Sequence, residues 1–91
     1  IMPFLIICKD KKNSLKKRLA VRPEHICHLK SLKKKMLMAG PILNKNKKPI
    51  GSFLIIDLDK RSDLNNFLKK DPYSKAELFK EIIIHKFKRV F

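Results

Sequence analysis

Four short apolar segments, rich in Ile, Leu and Phe, set the strongest limit on how this chain of 91 residues can fold. They cover residues 4–8, 37–43, 53–58 and 82–87. Their length and composition predict β-strands, and the unbroken apolar run of the first predicts a strand that is buried on both faces. A chain of this length is typical of one domain, so we expect residues 1–91 to form a single unit.

Helices are predicted between the first two strands and between the last two. The Arg-Pro-Glu sequence at residues 22–24 opens the first helix, because Pro suits the first turn and Glu suits the positive end of the helix dipole. This helix is expected to run to about residue 35. Ser62 is predicted to cap the second helix, Asp71-Pro72 to end it, and residues 73–79 to form a short third helix.

The resulting order is β-α-β-β-α-β, which predicts an α+β fold of the ferredoxin-like class with an antiparallel sheet. Its helices lie on one face of the sheet, and the other face needs cover. Because the strands are so apolar, we expect a homodimer formed by sheet-to-sheet packing, with a cleft between sheet and helices in each subunit. Gly40-Pro41, inside the second strand, predicts a bulge or an edge position.

The net charge of +15 raises the question of nucleic-acid binding. Of the 23 basic residues, however, 19 are Lys and four are Arg, a usage typical of an AT-rich genome. Bidentate base reading and phosphate clamping favour Arg, and aromatic residues are not interleaved with the basic ones. The composition therefore favours a solvated Lys surface first, a small anionic ligand second and nucleic acid last.

The two cysteines, Cys8 and Cys27, are too few for a disulfide framework. The apolar run at residues 4–8 is too short for the hydrophobic region of a signal peptide, and no segment approaches the ~20 apolar residues that span a bilayer. We therefore expect a cytoplasmic protein with reduced thiols and no membrane association.

Two residues at helix boundaries could carry chemistry. Helical spacing places His25 within the apolar stripe of the first predicted helix, where it is either a proton donor and acceptor or a core histidine bonded to a backbone carbonyl. Asp71 precedes Pro72 and fits a helix N-cap, which leaves its second oxygen free for another role. The predicted topology brings both helix starts to one face of the sheet, so a His25–Asp71 contact is geometrically reasonable.

Several short motifs also carry a family resemblance. In chain order they are SLKKRL at residues 14–19, VRPEH at 21–25, AGP at 39–41, DPY at 71–73 and FKRVF at 87–91. No single motif is unique, but their joint occurrence, in this order along nearly the whole chain, resembles the YciI-like (YCII-related) family.

The resemblance implies a ferredoxin-like, dimeric α+β barrel with an active site built on a His and an Asp, which map onto His25 and Asp71. One group of relatives removes chloride from a chlorinated hydroxyquinol, and a similar fold serves muconolactone isomerisation. Both use proton transfer without a metal or organic cofactor, so none is expected here. The loop at residues 44–49 is shorter than the Gly-rich insertion of some relatives.

With the resemblance, His25 is interpreted as the acid/base and Asp71 as the group that orients it and stabilises its charge. Arg22, one turn before His25, is a candidate clamp for a carboxylate or enolate, and Arg18 is a weaker one. Ser52 and Tyr73 could donate hydrogen bonds into the cleft. For Arg22 the alternative is a surface cation, and for Tyr73 a packing residue with its hydroxyl at the rim.

A metal site is not favoured. Cys27 points away from His25 on the helical wheel, and neighbouring helical positions such as Cys27 and His28 do not converge. The favoured function is acid/base chemistry of the lyase or isomerase type, namely proton transfer, elimination or isomerisation, on a small, polar, anionic metabolite. The alternative is a non-catalytic domain that binds a small ligand or a partner, with nucleic-acid binding a distant third.

Overall fold

The computed structural model describes residues 2–91, which form four strands and three α-helices. In chain order they are β1 (Phe4–Asp10), α1 (Leu15–Lys30), β2 (Met36–Leu43), β3 (Pro49–Ile56), α2 (Arg61–Lys69), α3 (Pro72–Lys75) and β4 (Phe79–Lys86). The strands form one sheet in the order β2-β3-β1-β4, and every neighbouring pair is antiparallel. The predicted α+β fold of the ferredoxin-like class is confirmed.

The hydrophobic core lies between the helices and one face of the sheet. Phe4, Ile6 and Cys8 of β1 are buried there and pack with residues of β3 and α2. Leu5 and Ile7, which point to the opposite face, are only half-buried. Within one chain β1 is therefore covered on one face only, and the prediction of a strand buried on both faces is wrong for the isolated subunit.

Helix α1 differs most from its prediction. It begins at Leu15, runs through Pro23 and ends at Lys30, whereas the sequence predicted a start at Arg22 and an end near residue 35. Pro23 lacks the N–H that would bond to the carbonyl of the previous turn, but the helix continues on both sides of it. It ends earlier than predicted, and Lys33, just beyond it, has a φ of 52° that a helix does not admit.

The boundaries of α2 and α3 also differ from the predicted ones. The N-cap of α2 is Lys60, with no capping bond from its side chain, so the predicted cap at Ser62 is wrong. Helix α3 spans only Pro72–Lys75, because Glu77 adopts a φ of 56° and the chain then enters β4. Asp71 is the N-cap of α3, as the sequence predicted.

Strand β2 is an edge strand, as Gly40-Pro41 suggested. Those two residues keep a regular register opposite Phe53 and Ser52, and the irregularities lie nearer the two ends of the strand. An edge position tolerates Pro41 because its missing N–H faces no partner strand. Strand β3 begins earlier than predicted, at Pro49, which places Ser52 inside the sheet.

The face of the sheet opposite the helices stays apolar. We call it the open face; its central residues are Leu5, Ile7, Phe53, Ile55 and Ile83, which are all half-buried in the single chain. No helix within residues 2–91 has both the length and the apolar character needed to cross a bilayer.

Candidate active site

Four side chains of α1 lie on one face of the helix. Arg18, Arg22, His25 and Leu29 recur at helical spacing and therefore project from the same side. They line a cleft of about 270 Å³ whose opposite wall comes from β2 and β3. That wall includes Ala39, Gly40, Pro41, Ser52 and Leu54, and Tyr73 of α3 closes one end.

His25 is held by Asp71 at the bottom of this cleft. The distance from His25 Nδ1 to Asp71 Oδ1 is 2.8 Å, and the two residues are 6% and 1% exposed. Because a carboxylate only accepts hydrogen bonds, Nδ1 carries the proton and donates it. The second ring nitrogen, Nε2, bonds to no other residue within the described chain and is not buried without a partner, so it faces the cleft.

The cap of α3 fixes the carboxylate of Asp71. The same oxygen, Oδ1, also accepts the backbone N–H of Tyr73 at 2.9 Å. Pro72 occupies the first turn of the helix, where its fixed φ is favourable and its missing N–H costs nothing. The structural and the chemical interpretation of Asp71 are therefore compatible, because one carboxylate oxygen serves both bonds.

Tyr73 stacks on the imidazole of His25. The ring centroids are 3.8 Å apart at an interplanar angle of 15°, and the Phe79 ring meets the Tyr73 ring edge-on at 5.9 Å. Burial raises the pKa of the Tyr73 hydroxyl, although Arg18 and Arg22 oppose that rise. The hydroxyl is therefore protonated at neutral pH. It bonds to no residue in the described part of the chain, which leaves its proton free for a ligand in the cleft.

Arg18 forms a buried ion pair with Asp10. Its Nε donates to Asp10 Oδ2 at 2.6 Å and its Nη2 to Oδ1 at 2.8 Å, a bidentate geometry. Nη2 also donates to Ser52 Oγ at 2.9 Å, and the guanidinium lies 4.6 Å from the centre of the Tyr73 ring. Burial, the largest single influence, lowers the pKa of Arg18, but the hydrogen bonds and charge of Asp10, together with smaller contributions from Tyr73 and Cys8, leave that pKa raised.

Asp10 was missed by the sequence analysis, which assigned it no role. It lies at the end of β1, with its side chain only 5% exposed. The signal was weak: one acidic residue at the end of an apolar run, in a chain with only eight acidic residues. Its partner, Arg18, was considered as a ligand clamp instead.

Arg22 is the cation that remains available to a ligand. It is exposed at the rim of the cleft and forms no ion pair or side-chain hydrogen bond with any of residues 2–91. Arg22 and Arg18 therefore differ in the positive charge that they can offer to a bound group, because the charge of Arg18 is already neutralised by Asp10.

The remaining histidine and cysteine of α1 do not join the site. His28 Nε2 donates to the backbone oxygen of Phe67 at 2.8 Å and its ring stacks on that side chain, which ties α1 to α2. Cys27 is exposed. Within residues 2–91, no group of three His, Cys, Asp or Glu side chains is arranged to hold a metal ion.

Cys8 lies beneath the site, and we expect it to be chemically inert. Burial, with a further contribution from Asp71, raises the pKa of its thiol to about 12. Because the thiolate is the reactive form, a thiol-specific reagent at pH 8 should modify only Cys27 in the native protein and both thiols after denaturation. Mass spectrometry of the labelled peptides measures this. Rapid labelling of native Cys8 would contradict the burial.

Comparison with known proteins identifies the family. Residues 2–88 match the family model of the YCII-related domain. The chain belongs to the YCII-related family. This confirms the resemblance that the motifs indicated. An uncharacterised family relative from Haemophilus influenzae is 34% identical over 98 aligned positions, covering 99% of this chain and 100% of that protein. Protein YciI of Escherichia coli is 32% identical with the same coverage.

Solved structures extend the comparison. The YCII-related chain resembles 5-chloro-2-hydroxyhydroquinone dehydrochlorinase (TftG) from Burkholderia phenoliruptrix AC1100, solved in complex with 2,5-dihydroxybenzoquinone. The TM-score is 0.90 at 33% identity, covering 99% of this chain and 96% of that one. An antibiotic biosynthesis monooxygenase covers 99% of both chains with a TM-score of 0.62 at 9% identity, which supports the fold alone.

Proposed function

We propose that the cleft catalyses acid/base chemistry on a small, cyclic, oxygen-rich anion. The observation that carries this proposal is that the two ring nitrogens of His25 have different surroundings. Asp71 holds Nδ1 at 2.8 Å, and Nε2 is left with a lone pair that faces the cleft. This is the arrangement by which a carboxylate fixes the tautomer of a catalytic histidine and stabilises the imidazolium that forms.

The reaction follows from these positions. His25 Nε2 takes a proton from the substrate, and the electron pair of the broken bond forms a new double bond. Either a leaving group departs with its own bonding pair, which completes an elimination, or the proton returns to another atom, which completes an isomerisation. Asp71 stabilises the transient imidazolium, and Arg22 and the Tyr73 hydroxyl stabilise the negative charge on a substrate oxygen.

The size and lining of the cleft favour a single ring. A cavity of about 150 Å³ holds benzene, and this one encloses about 270 Å³. Ile26, Leu29 and Leu54 provide apolar walls, and Arg22 provides one free positive charge. The likeness to TftG, whose structure holds a dihydroxybenzoquinone, supports a planar ring with ionisable oxygens.

The experiment that tests this function is chloride release from 5-chloro-2-hydroxyhydroquinone, the compound in the name of TftG. We expect turnover by the wild type and a loss of at least about 100-fold in His25→Gln, since general acid–base catalysis contributes about 10²-fold to 10⁴-fold. His28→Gln is the matched control, because His28 lies on the same helix and bonds to the backbone of Phe67 instead of facing the cleft. Equal activity in the wild type and His25→Gln would contradict the role of His25. Ligand binding without turnover would favour the non-catalytic alternative.

We further propose that the open face forms a homodimer by sheet-to-sheet packing. Ile7 lies at its centre, on β1 between Phe53 and Ile83. Ile7→Lys should convert a dimer into a monomer, because it buries two like charges near the symmetry axis of such an interface. Leu19→Lys, on exposed surface of α1, is the matched control. Light scattering after size exclusion measures the mass; a dimeric Ile7→Lys variant or a monomeric wild type would contradict this arrangement.

A further inference from the structure

A continuous set of contacts connects Asp10, at the end of β1, to the imidazole of His25. Asp10 binds Arg18 through two hydrogen bonds, and the Arg18 guanidinium lies 4.6 Å from the centre of the Tyr73 ring. The Tyr73 ring stacks on His25 at 3.8 Å. Every member of this set is at least nine-tenths buried at its side chain, so each has few alternative positions.

Arg18 and His25 are seven residues apart on α1, which is about two turns or 10 Å along the helix axis. The Tyr73 ring contacts both side chains. The guanidinium and the imidazole therefore flank this ring, and movement of either changes the space available to the other. A guanidinium that is free to rotate would not hold the ring in one place.

Asp10 removes that freedom. The bidentate geometry fixes the plane of the guanidinium as well as its position, and the bond to Ser52 Oγ fixes a third point. Asp10 also neutralises Arg18, so that a second buried positive charge does not oppose a proton on the imidazole. It touches neither the ligand-facing nitrogen of His25 nor Asp71.

We infer that Asp10 is a positioning residue of the site, which acts through Arg18 and the Tyr73 ring to hold His25 in line with Asp71. On this assignment Arg18 holds the Tyr73 ring in place and does not bind the ligand, and Arg22 alone offers its charge to the ligand. The expected effect of Asp10 on turnover rests on the proposed function, whereas its expected effect on the imidazole does not depend on any substrate.

The test uses ¹⁵N-labelled histidine and NMR spectroscopy of the full chain. In the wild type we expect one tautomer of His25, with a protected Nδ1–H in the bond to Asp71. Asp10→Asn should broaden or remove this resonance. Because that variant leaves Arg18 buried without its partner, Asp10→Asn/Arg18→Gln is tested as well, since it removes both charges. Asp63→Asn is the matched control: Asp63 is an exposed acid in the first turn of α2, and the substitution changes the net charge by the same amount.

We expect both Asp10 variants to lose the protected Nδ1–H and Asp63→Asn to keep it. Chloride release should fall by about 10-fold to 100-fold, the loss found when residues that orient the ligands of a metal site are replaced, and mainly in kcat. A folded double variant with the wild-type resonance would overturn the inference, as would loss of turnover with that resonance intact. If the wild type turns over no chlorinated hydroxyquinol, the proposed function fails, and the resonance alone still decides the role of Asp10.

Discussion

Asp71→Asn is expected to lower turnover by about 10²-fold to 10⁴-fold without unfolding the protein. In a catalytic triad, the corresponding Asp-to-Asn change costs about 10⁴-fold. Here the amide oxygen can still accept the bond from His25 Nδ1, but it carries no charge to stabilise the imidazolium. The fold should survive because Asn is as good an N-cap as Asp, and the bond from the Tyr73 N–H can be retained.

Chloride release and thermal unfolding together measure this effect. Asp63→Asn is the matched control, since Asp63 lies exposed in the first turn of α2 and its replacement changes the net charge by the same amount. Full turnover in Asp71→Asn would show that the carboxylate serves only as the cap of α3. Equal losses in Asp71→Asn and Asp63→Asn would point to overall charge.

Arg18→Met is expected to have the largest effect on stability. The substitution leaves the Asp10 carboxylate buried without its partner, and breaking a buried pair in this way costs about 3–5 kcal/mol of unfolding free energy. The whole protein has about 5–15 kcal/mol to lose, as is usual for small domains. Arg18 and Asp10 are 3% and 5% exposed at their side chains, so solvent does little to compensate.

Arg61→Met is the matched control for that prediction. Arg61 is exposed on α2 and donates only to Asn65 of the same helix at 3.2 Å, so its replacement should change the free energy of unfolding by no more than about 0.5 kcal/mol. Urea unfolding at one fixed protein concentration measures both variants, because a dimer adds a concentration-dependent contribution. Similar losses for Arg61→Met and Arg18→Met would contradict the difference in burial between the two arginines.

Much of the fold could be predicted because its signals are local. The apolar runs specify strands, and their order with the helices leaves few topologies. Asp71-Pro72 was predicted as a cap because the residue preferences of a helix start involve only neighbouring positions in the sequence. His25 could be placed on the inner side of its helix for the same reason, since helical periodicity depends only on sequence spacing.

The features that were not predicted, in α1 and at Asp10, depend on contacts made after the chain has folded. Half of residues 15–22 of α1 are basic, and the segment shows little apolar periodicity, so the sequence did not indicate that it is helical. The bonds of Arg18 to Asp10 and Ser52 that anchor this half of the helix could not be inferred. Pro23 then looked like a helix start, although it lies inside a longer helix. The role of Asp10 was hidden because its partner is eight residues away, across a turn.

The most direct test of the central claim is to titrate ¹⁵N-histidine-labelled protein with 2,5-dihydroxybenzoquinone, the compound bound in the TftG structure. The claim is that His25 Nε2 faces a small anionic ring in the cleft while Asp71 holds Nδ1. We predict a saturable shift of the His25 Nε2 resonance, with no shift at His28, which bonds to Phe67. An unchanged His25 resonance, or equal shifts at His25 and His28, would contradict the claim.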